Sequence, residues 1–188
     1  MLVDHLESRL GRMESGWSID IGRPEKSMSV AVFRGGQLAG VTSFATVGLS
    51  NVSLRSRATD RELRLELLGC SYDEAAGGYG PWPGILEHIA ATSSNSGKAV
   101  LRGDVIPLPG AIREGSVMNA LYAALPVYFD DAFAAFDIDD SHRAALVWLI
   151  PIGSAETTFI RESGWQKFES QLIAGNPDLL DLSRVEIF

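Results

Sequence analysis

His5, His88 and His142 are the three imidazoles of this chain, and they stand far apart in sequence. A helical zinc pair needs His at a spacing such as i and i+4. None of the three has a second His or Cys at ligand spacing, so no metal or cofactor is expected. His88 falls on a predicted helix, where an imidazole is more often a satisfied, partly buried side chain than a base. His142 follows Asp139 and Asp140, close enough for imidazole and carboxylate to interact, yet the plainer reading is a solvated loop. The single cysteine, Cys70, cannot form an internal bridge and follows an apolar run, which predicts a small buried thiol in a reducing compartment. Glycosidase chemistry needs two opposed carboxylates, but nothing in the order of the 24 acidic residues selects a pair. No glycine-rich turn ends in Gly-Lys-Ser/Thr, and no nucleophile elbow occurs. Gly77, Gly78 and Gly80 lack the dinucleotide-binding spacing. No catalytic constellation is expected.

One segment has the chemistry of recognition instead. Residues 128–140 read YFDDAFAAFDIDD, with Asp130, Asp131, Asp137, Asp139 and Asp140 and no basic residue among them. Tyr128, Phe129, Phe133 and Phe136 are interleaved with these acids. Aromatic anchors rimmed by acids suit a basic protein partner. The competing reading is a connection whose rings face the core and whose acids face water. The candidate partner-binding set is therefore Tyr128, Phe129, Asp130, Asp131, Asp137, Asp139 and Asp140.

The whole chain constrains what such a site could bind. With 24 acidic against 16 basic residues the net charge is −8, a surface that repels phosphate backbones and anionic membranes. Nucleic acid and membrane are thus disfavoured as partners, and a basic protein is compatible. The same acidity also serves plain solubility. The first fifteen residues are charged and amphipathic, without the apolar stretch of a secretory signal, and no run approaches the ~20 apolar residues of a membrane span. A cytoplasmic protein is expected. At 188 residues the length suits one domain, 1–188, able to bury a core without disulfides or metal.

The elements that must position these residues follow from periodicity. Leu2, Leu6, Leu10 and Met13 share a helical face, which predicts a helix over 2–14. Residues 28–34 and 38–47, separated by Gly35-Gly36, predict a hairpin. The stretch 47–54 reads as irregular. In 62–68 Leu63, Leu65 and Leu67 alternate with Glu62, Arg64 and Glu66, predicting a strand with one wet face. The Gly/Pro-rich 77–84 breaks the chain before a helix over 85–91. A strand over 99–106 is interrupted at Gly103-Asp104, and 117–125 fits either strand or helix. Residues 144–152 predict a central strand with Pro151 at its end or on an edge, and Ser154 suits an N-cap for the next helix. Gly164 divides that helix and Gly175 stops it. Leu63, Leu65, Leu67, Val147, Leu149, Phe159, Phe168 and Leu172 are the expected core, each large one worth ~2–5 kcal/mol on truncation to Ala. The fold class is α+β: a single domain with a mixed, mainly antiparallel sheet flanked by helices.

Several of these segments resemble one known family. Trp148-Leu149-Ile150-Pro151-Ile152, Glu156, the run Ile160 to Trp165, and Asp178 to Arg184 resemble the end of the suppressor-of-fused domain. Upstream, Thr46-Val47-Gly48-Leu49-Ser50 and Arg64-Leu65-Glu66-Leu67 are similar to its Thr-x-Gly-Leu/Met-Ser and Arg-x-Glu-Leu segments. The Trp82 helix and the Gly103 to Pro107 segment fall where the family has a helix and a Gly-x-x-Ile-Pro turn. The resemblance covers about residues 25–184. Asp104 departs from it, since many relatives have His there, and any role of that imidazole is in doubt.

The resemblance implies binding rather than catalysis. The eukaryotic relative holds transcription factors in the cytoplasm with this domain and a second one, for which this chain is too short. Short bacterial members resemble immunity proteins of polymorphic toxin systems. The leading expectation is an immunity or antitoxin-like protein that neutralises a toxin by direct binding. An intracellular regulatory scaffold for a non-toxin protein is the alternative, and a small hydrolase a distant third.

Overall fold

The computed structural model describes residues 1–19, 27–56, 59, 61–73 and 78–188. Gly77 and the first residues of the 25–184 resemblance lie outside the described residues.

Leu6 and Leu10 are buried on one face of helix α1 (Leu2–Leu10). The predicted continuation to residue 14 instead becomes strand β1 (Gly11–Ile19). Gly11 makes the switch: its φ is +89°, and a Cβ there would meet the Arg34 carbonyl oxygen at 2.1 Å. No side chain fits, and the helix stops there. Met13, assigned to the helical face, is half-exposed on the strand.

The hairpin forms as β2 (Met28–Gly35) and β3 (Val41–Val47). A 3-10 turn at Leu49–Asn51 and the short β4 (Leu54–Arg55) occupy the stretch read as irregular. The alternating segment splits into β5 (Glu62–Leu63), which pairs with β4, and β6 (Leu65–Tyr72). Helix α2 is Trp82–Ser96, opening three residues earlier than the sequence suggests. Pro81 and Pro83 are tolerated because the first-turn N–H groups have no helical partner to lose. Then come β7 (Val105–Pro107), β8 (Ala120–Ala124), β9 (Ala135–Asp139) and β10 (His142–Ile152). Residues 117–125 thus resolve as strand, and the strand expected over 99–106 is confined to its end. Helices α3 (Ser154–Ser163) and α4 (Trp165–Gly175) meet at Gly164, as its position predicted.

The main sheet runs β1-β2-β3-β6-β10-β8-β7, with β9 also on β10. The β6–β10 pair is parallel and the other pairs are antiparallel. Strand β10 is central and apolar on both faces: Leu146, Trp148, Ile150 and Ile152 point one way, Val147 and Leu149 the other. The first face packs on α1, α3 and α4 through Leu6, Leu10, Ile160, Phe168 and Leu172. The second packs on α2 through Trp82, Leu86, Ile89 and Ala90. Helices on both faces give the α+β domain read from the sequence. Pro151 sits at the end of β10, where its carbonyl accepts from Arg184 Nη2 at 2.9 Å.

Two details differ from the sequence reading. Within the segment 62–68, Glu62 is exposed as the alternation predicts, but β6 has no wet face: Glu66 is fully buried, and Leu68 and Cys70 line the core beyond it. Leu63 and Phe159 pack only partly buried at the core margins, whereas Leu65, Leu67, Val147, Leu149, Phe168 and Leu172 are buried.

Candidate partner-binding surface

The segments most recognisable in the sequence converge below the surface. Glu66 on β6 accepts five hydrogen bonds: from Thr46 Oγ1 (2.6 Å), the N–H groups of Gly48 (3.0 Å), Leu49 (3.2 Å) and Ser50 (3.0 Å), and Ser50 Oγ (2.6 Å). Arg64 Nη1 then donates to the Ser50 carbonyl at 3.0 Å. Residues 46–50 and 64–67 are therefore one buried unit, in which a carboxylate organises a loop. Burial pushes the Glu66 carboxyl above its ordinary value, and the surrounding donors oppose that rise.

A second unit closes the carboxy terminus. Arg184 and Glu156 are both buried and form a bidentate pair at 2.7 and 2.9 Å. Glu156 also accepts from the Gly153 and Ile187 N–H groups. The expected cap at Ser154 is replaced by Glu186, whose carboxylate accepts from the Ala155 and Glu156 N–H groups at 2.7 and 3.3 Å. A third contact joins Gly103 to Trp165. A Cβ on Gly103 would stand 2.7 Å from the indole, and its φ is +96°. All three units shape the fold.

The 128–140 segment divides. Phe129, Phe133 and Phe136 are buried in the core, and Tyr128 packs 5.0 Å from Trp148 with its hydroxyl accepting from the Leu179 N–H. Its rings therefore do not stand out as anchors. The acids do face solvent, as a ridge along the 3-10 turn Asp131–Ala134 and the β9–β10 hairpin. Asp130 pairs with Arg9 at 2.7 Å, Asp137 with Arg143 at 2.8 Å and Asp139 with His142 at 2.9 Å. The bond from Arg9 holds Asp130 below its ordinary value, and the Ser141 N–H followed by His142 does the same for Asp139. Among the described residues Asp131 and Asp140 have no ion-pair partner. Arg9 comes from α1, 121 residues away, which a local reading could not supply.

A groove the sequence did not announce, with a volume of about 190 Å³, is lined by Val127 and Tyr128, just before the first of these acids in the chain. Val127 (63% exposed) and Ile173 (80% exposed) flank it. At its polar end Tyr122 donates to Glu169 at 2.8 Å, and Arg102 pairs with Glu169 while lying 5.0 Å over the Trp165 ring. Burial and then the hydrogen bond to Glu169 push the Tyr122 hydroxyl upward, so it stays a donor. Val127 precedes Asp130 by three residues, so the groove approaches the acids only at that end, while Asp137 and Asp139, opposite Arg143 and His142, stand at the other end of β10 from Ile150. Among the described residues no group of His, Cys, Asp or Glu converges to hold a metal, and no helix is long and apolar enough to cross a membrane.

A family model for suppressor of fused protein (SUFU) matches residues 24–185. The chain belongs to the suppressor-of-fused family. Suppressor-of-fused proteins are non-catalytic, protein-binding regulators, and the buried units above account for the residues that carry the resemblance. No curated protein matches in sequence. Solved structures share the fold. A putative SUFU homolog from Neisseria gonorrhoeae aligns over 100% of this chain and 94% of its own with a TM-score of 0.75 at 16% identity. The chain of the Sufu–Fu complex aligns over 100% and 91%, with a TM-score of 0.68 at 14% identity. Drosophila Suppressor of Fused gives 0.68 at 15% identity, and this chain spans half of its length.

Proposed function

We propose that this chain is a protein-binding module that neutralises a toxin by covering it, with the acidic ridge as the contact surface. The observation that carries the reading is the run of solvent-facing acids Asp130, Asp131, Asp137, Asp139 and Asp140 on a chain of net charge −8, with exposed Val127 three residues before Asp130. A surface of one charge sign favours a partner of the opposite sign, here a basic protein.

The test is capture of partners by the tagged chain from lysate of its own source, washed at low and high salt. A stoichiometric basic partner that is released by salt, arrests growth when produced alone and is silenced by this chain supports the proposal. A captured protein without toxicity supports instead a regulatory scaffold, the reading favoured by the relative solved as a Sufu–Fu complex. Absence of any partner, with turnover of ester or phosphoester substrates, would revive the hydrolase alternative.

A further inference from the structure

Glu186, Ile187 and Phe188 lie on the fold as a docked peptide would. They have no regular secondary structure. Beyond buried Arg184, Val185 is 81% exposed and Phe188 47%. The Glu186 carboxylate accepts from the Ala155 and Glu156 N–H groups at the start of α3. The Phe188 ring stacks on Phe159 with centroids 4.1 Å apart and planes inclined by 15°. Between these two anchors the Ile187 N–H donates to Glu156 Oε1 at 3.3 Å.

The seat suits a carboxylate. The N-cap of α3 is Gly153, which has no side chain to accept from the first-turn N–H groups. The neighbouring Ser154 hydroxyl is already taken, accepting from Asn119 Nδ2 at 2.7 Å. A Cβ on Gly153 would overlap Glu186 Oε1, so the space left by the missing side chain is the space the carboxylate enters. The positive end of the helix dipole favours the same charge. Further along α3 the partly buried Phe159 offers a flat apolar face. Gly153, Ala155, Glu156 and Phe159 fall inside the family match, which ends at residue 185, whereas the segment that fills the seat lies past it.

We infer that this seat on α3 binds an extended segment of a protein partner carrying an acid two residues before an aromatic, and that Glu186 and Phe188 hold it as an internal competitor. The occupant's chemistry is that of the residues now seated: a carboxylate on the Ala155 and Glu156 N–H groups, and a ring on Phe159. A tethered segment meets its seat at an effective concentration on the order of millimolar, so a partner segment must bind more tightly than that to displace it. The inference rests neither on the acidic ridge nor on the toxin reading.

The experiment titrates a fluorescent, amidated hexapeptide, Ser-Arg-Val-Glu-Ile-Phe, against the full chain by anisotropy. The double variant Glu186→Ala with Phe188→Ala empties the seat and should bind the peptide at least tenfold more tightly than wild type. Replacing the peptide's Glu with Gln, or its Phe with Ala, should each weaken that binding at least tenfold. Adding Gly153→Ala to the double variant should abolish binding and leave the fold intact, because the new Cβ then meets only the incoming carboxylate. Circular dichroism checks folding, and if the double variant unfolds, Phe188→Ala alone decides. Binding no tighter in the opened chain, or indifferent to the peptide's Glu and Phe or to Gly153→Ala, would overturn the inference. So would a wild-type dimer that forms with rising concentration and is lost in Phe188→Ala, since that assigns the seat to a second copy of this chain.

Discussion

The Thr46 hydroxyl lies 2.6 Å from the Glu66 carboxylate, and both residues are fully buried. The same hydroxyl accepts from the Leu67 N–H at 2.8 Å, so it links the carboxylate to the β6 backbone. A short polar residue from the end of β3 and an acid from β6 thus fix the 48–50 turn between them.

Replacing Glu66 with Gln sets an amide NH₂ against groups that already donate. We expect a loss of about 1–3 kcal/mol in urea unfolding. Because burial raises the Glu66 carboxyl in the folded state, its contribution is fully present below the unfolded value near 4.5 and falls as pH rises through the raised one. The wild-type advantage over Glu66→Gln should therefore narrow from acid towards neutral pH. An advantage that widens instead would show that the donors outweigh burial.

The Glu156–Arg184 pair is buried on both sides, at 0% and 7% exposure. Removing one partner leaves a buried charge alone, so Arg184→Ala should cost about 3–5 kcal/mol. The double variant Glu156→Met with Arg184→Met should cost clearly less than the sum of the two single Met changes. A double-mutant cycle by denaturant unfolding measures this coupling, and additive losses would mean that the pair is not coupled.

Gly103→Ala meets both the Trp165 ring and an unfavourable positive φ. It should cost more than about 1 kcal/mol. Adding Trp165→Leu should recover part of the loss by thermal unfolding, because it relieves the clash but not the backbone strain. No recovery would assign the whole cost to the backbone.

Cys70 is fully buried, and desolvation pushes its thiol up to about 12. Only the thiolate reacts with alkylating agents. Modification by iodoacetamide at pH 8 should be slow in the native protein and complete in denaturant, followed by mass spectrometry. Rapid native modification would show that the β6 region opens readily.

For the ridge, the combined change of Asp130, Asp131, Asp139 and Asp140 to Asn should weaken capture of a basic partner and flatten its dependence on salt. Asp131 and Asp140 should contribute more than Asp130, whose charge Arg9 already offsets. Unchanged affinity measured by calorimetry would remove the ridge from the interface.

Periodicity and composition were enough to find the α+β class, the β2–β3 hairpin, the central β10 and the break at Gly164, because each rests on local preferences of backbone and side chain. The 2–14 helix failed at Gly11, where the constraint is the Arg34 carbonyl on another strand. Alternation in 62–68 suggested a wet face, since Glu66 alone looks solvent-bound; its donors come from residues 46–50 and appear only after β3 and β6 pair. The acids at 130–140 were legible as a charged run, but whether Phe129 and Phe133 faced water or core depended on the packing of α1 against them. Burial and ion pairing are relations between distant segments. The order of residues specifies what each segment can contribute, and only the closed sheet decides which contributions meet.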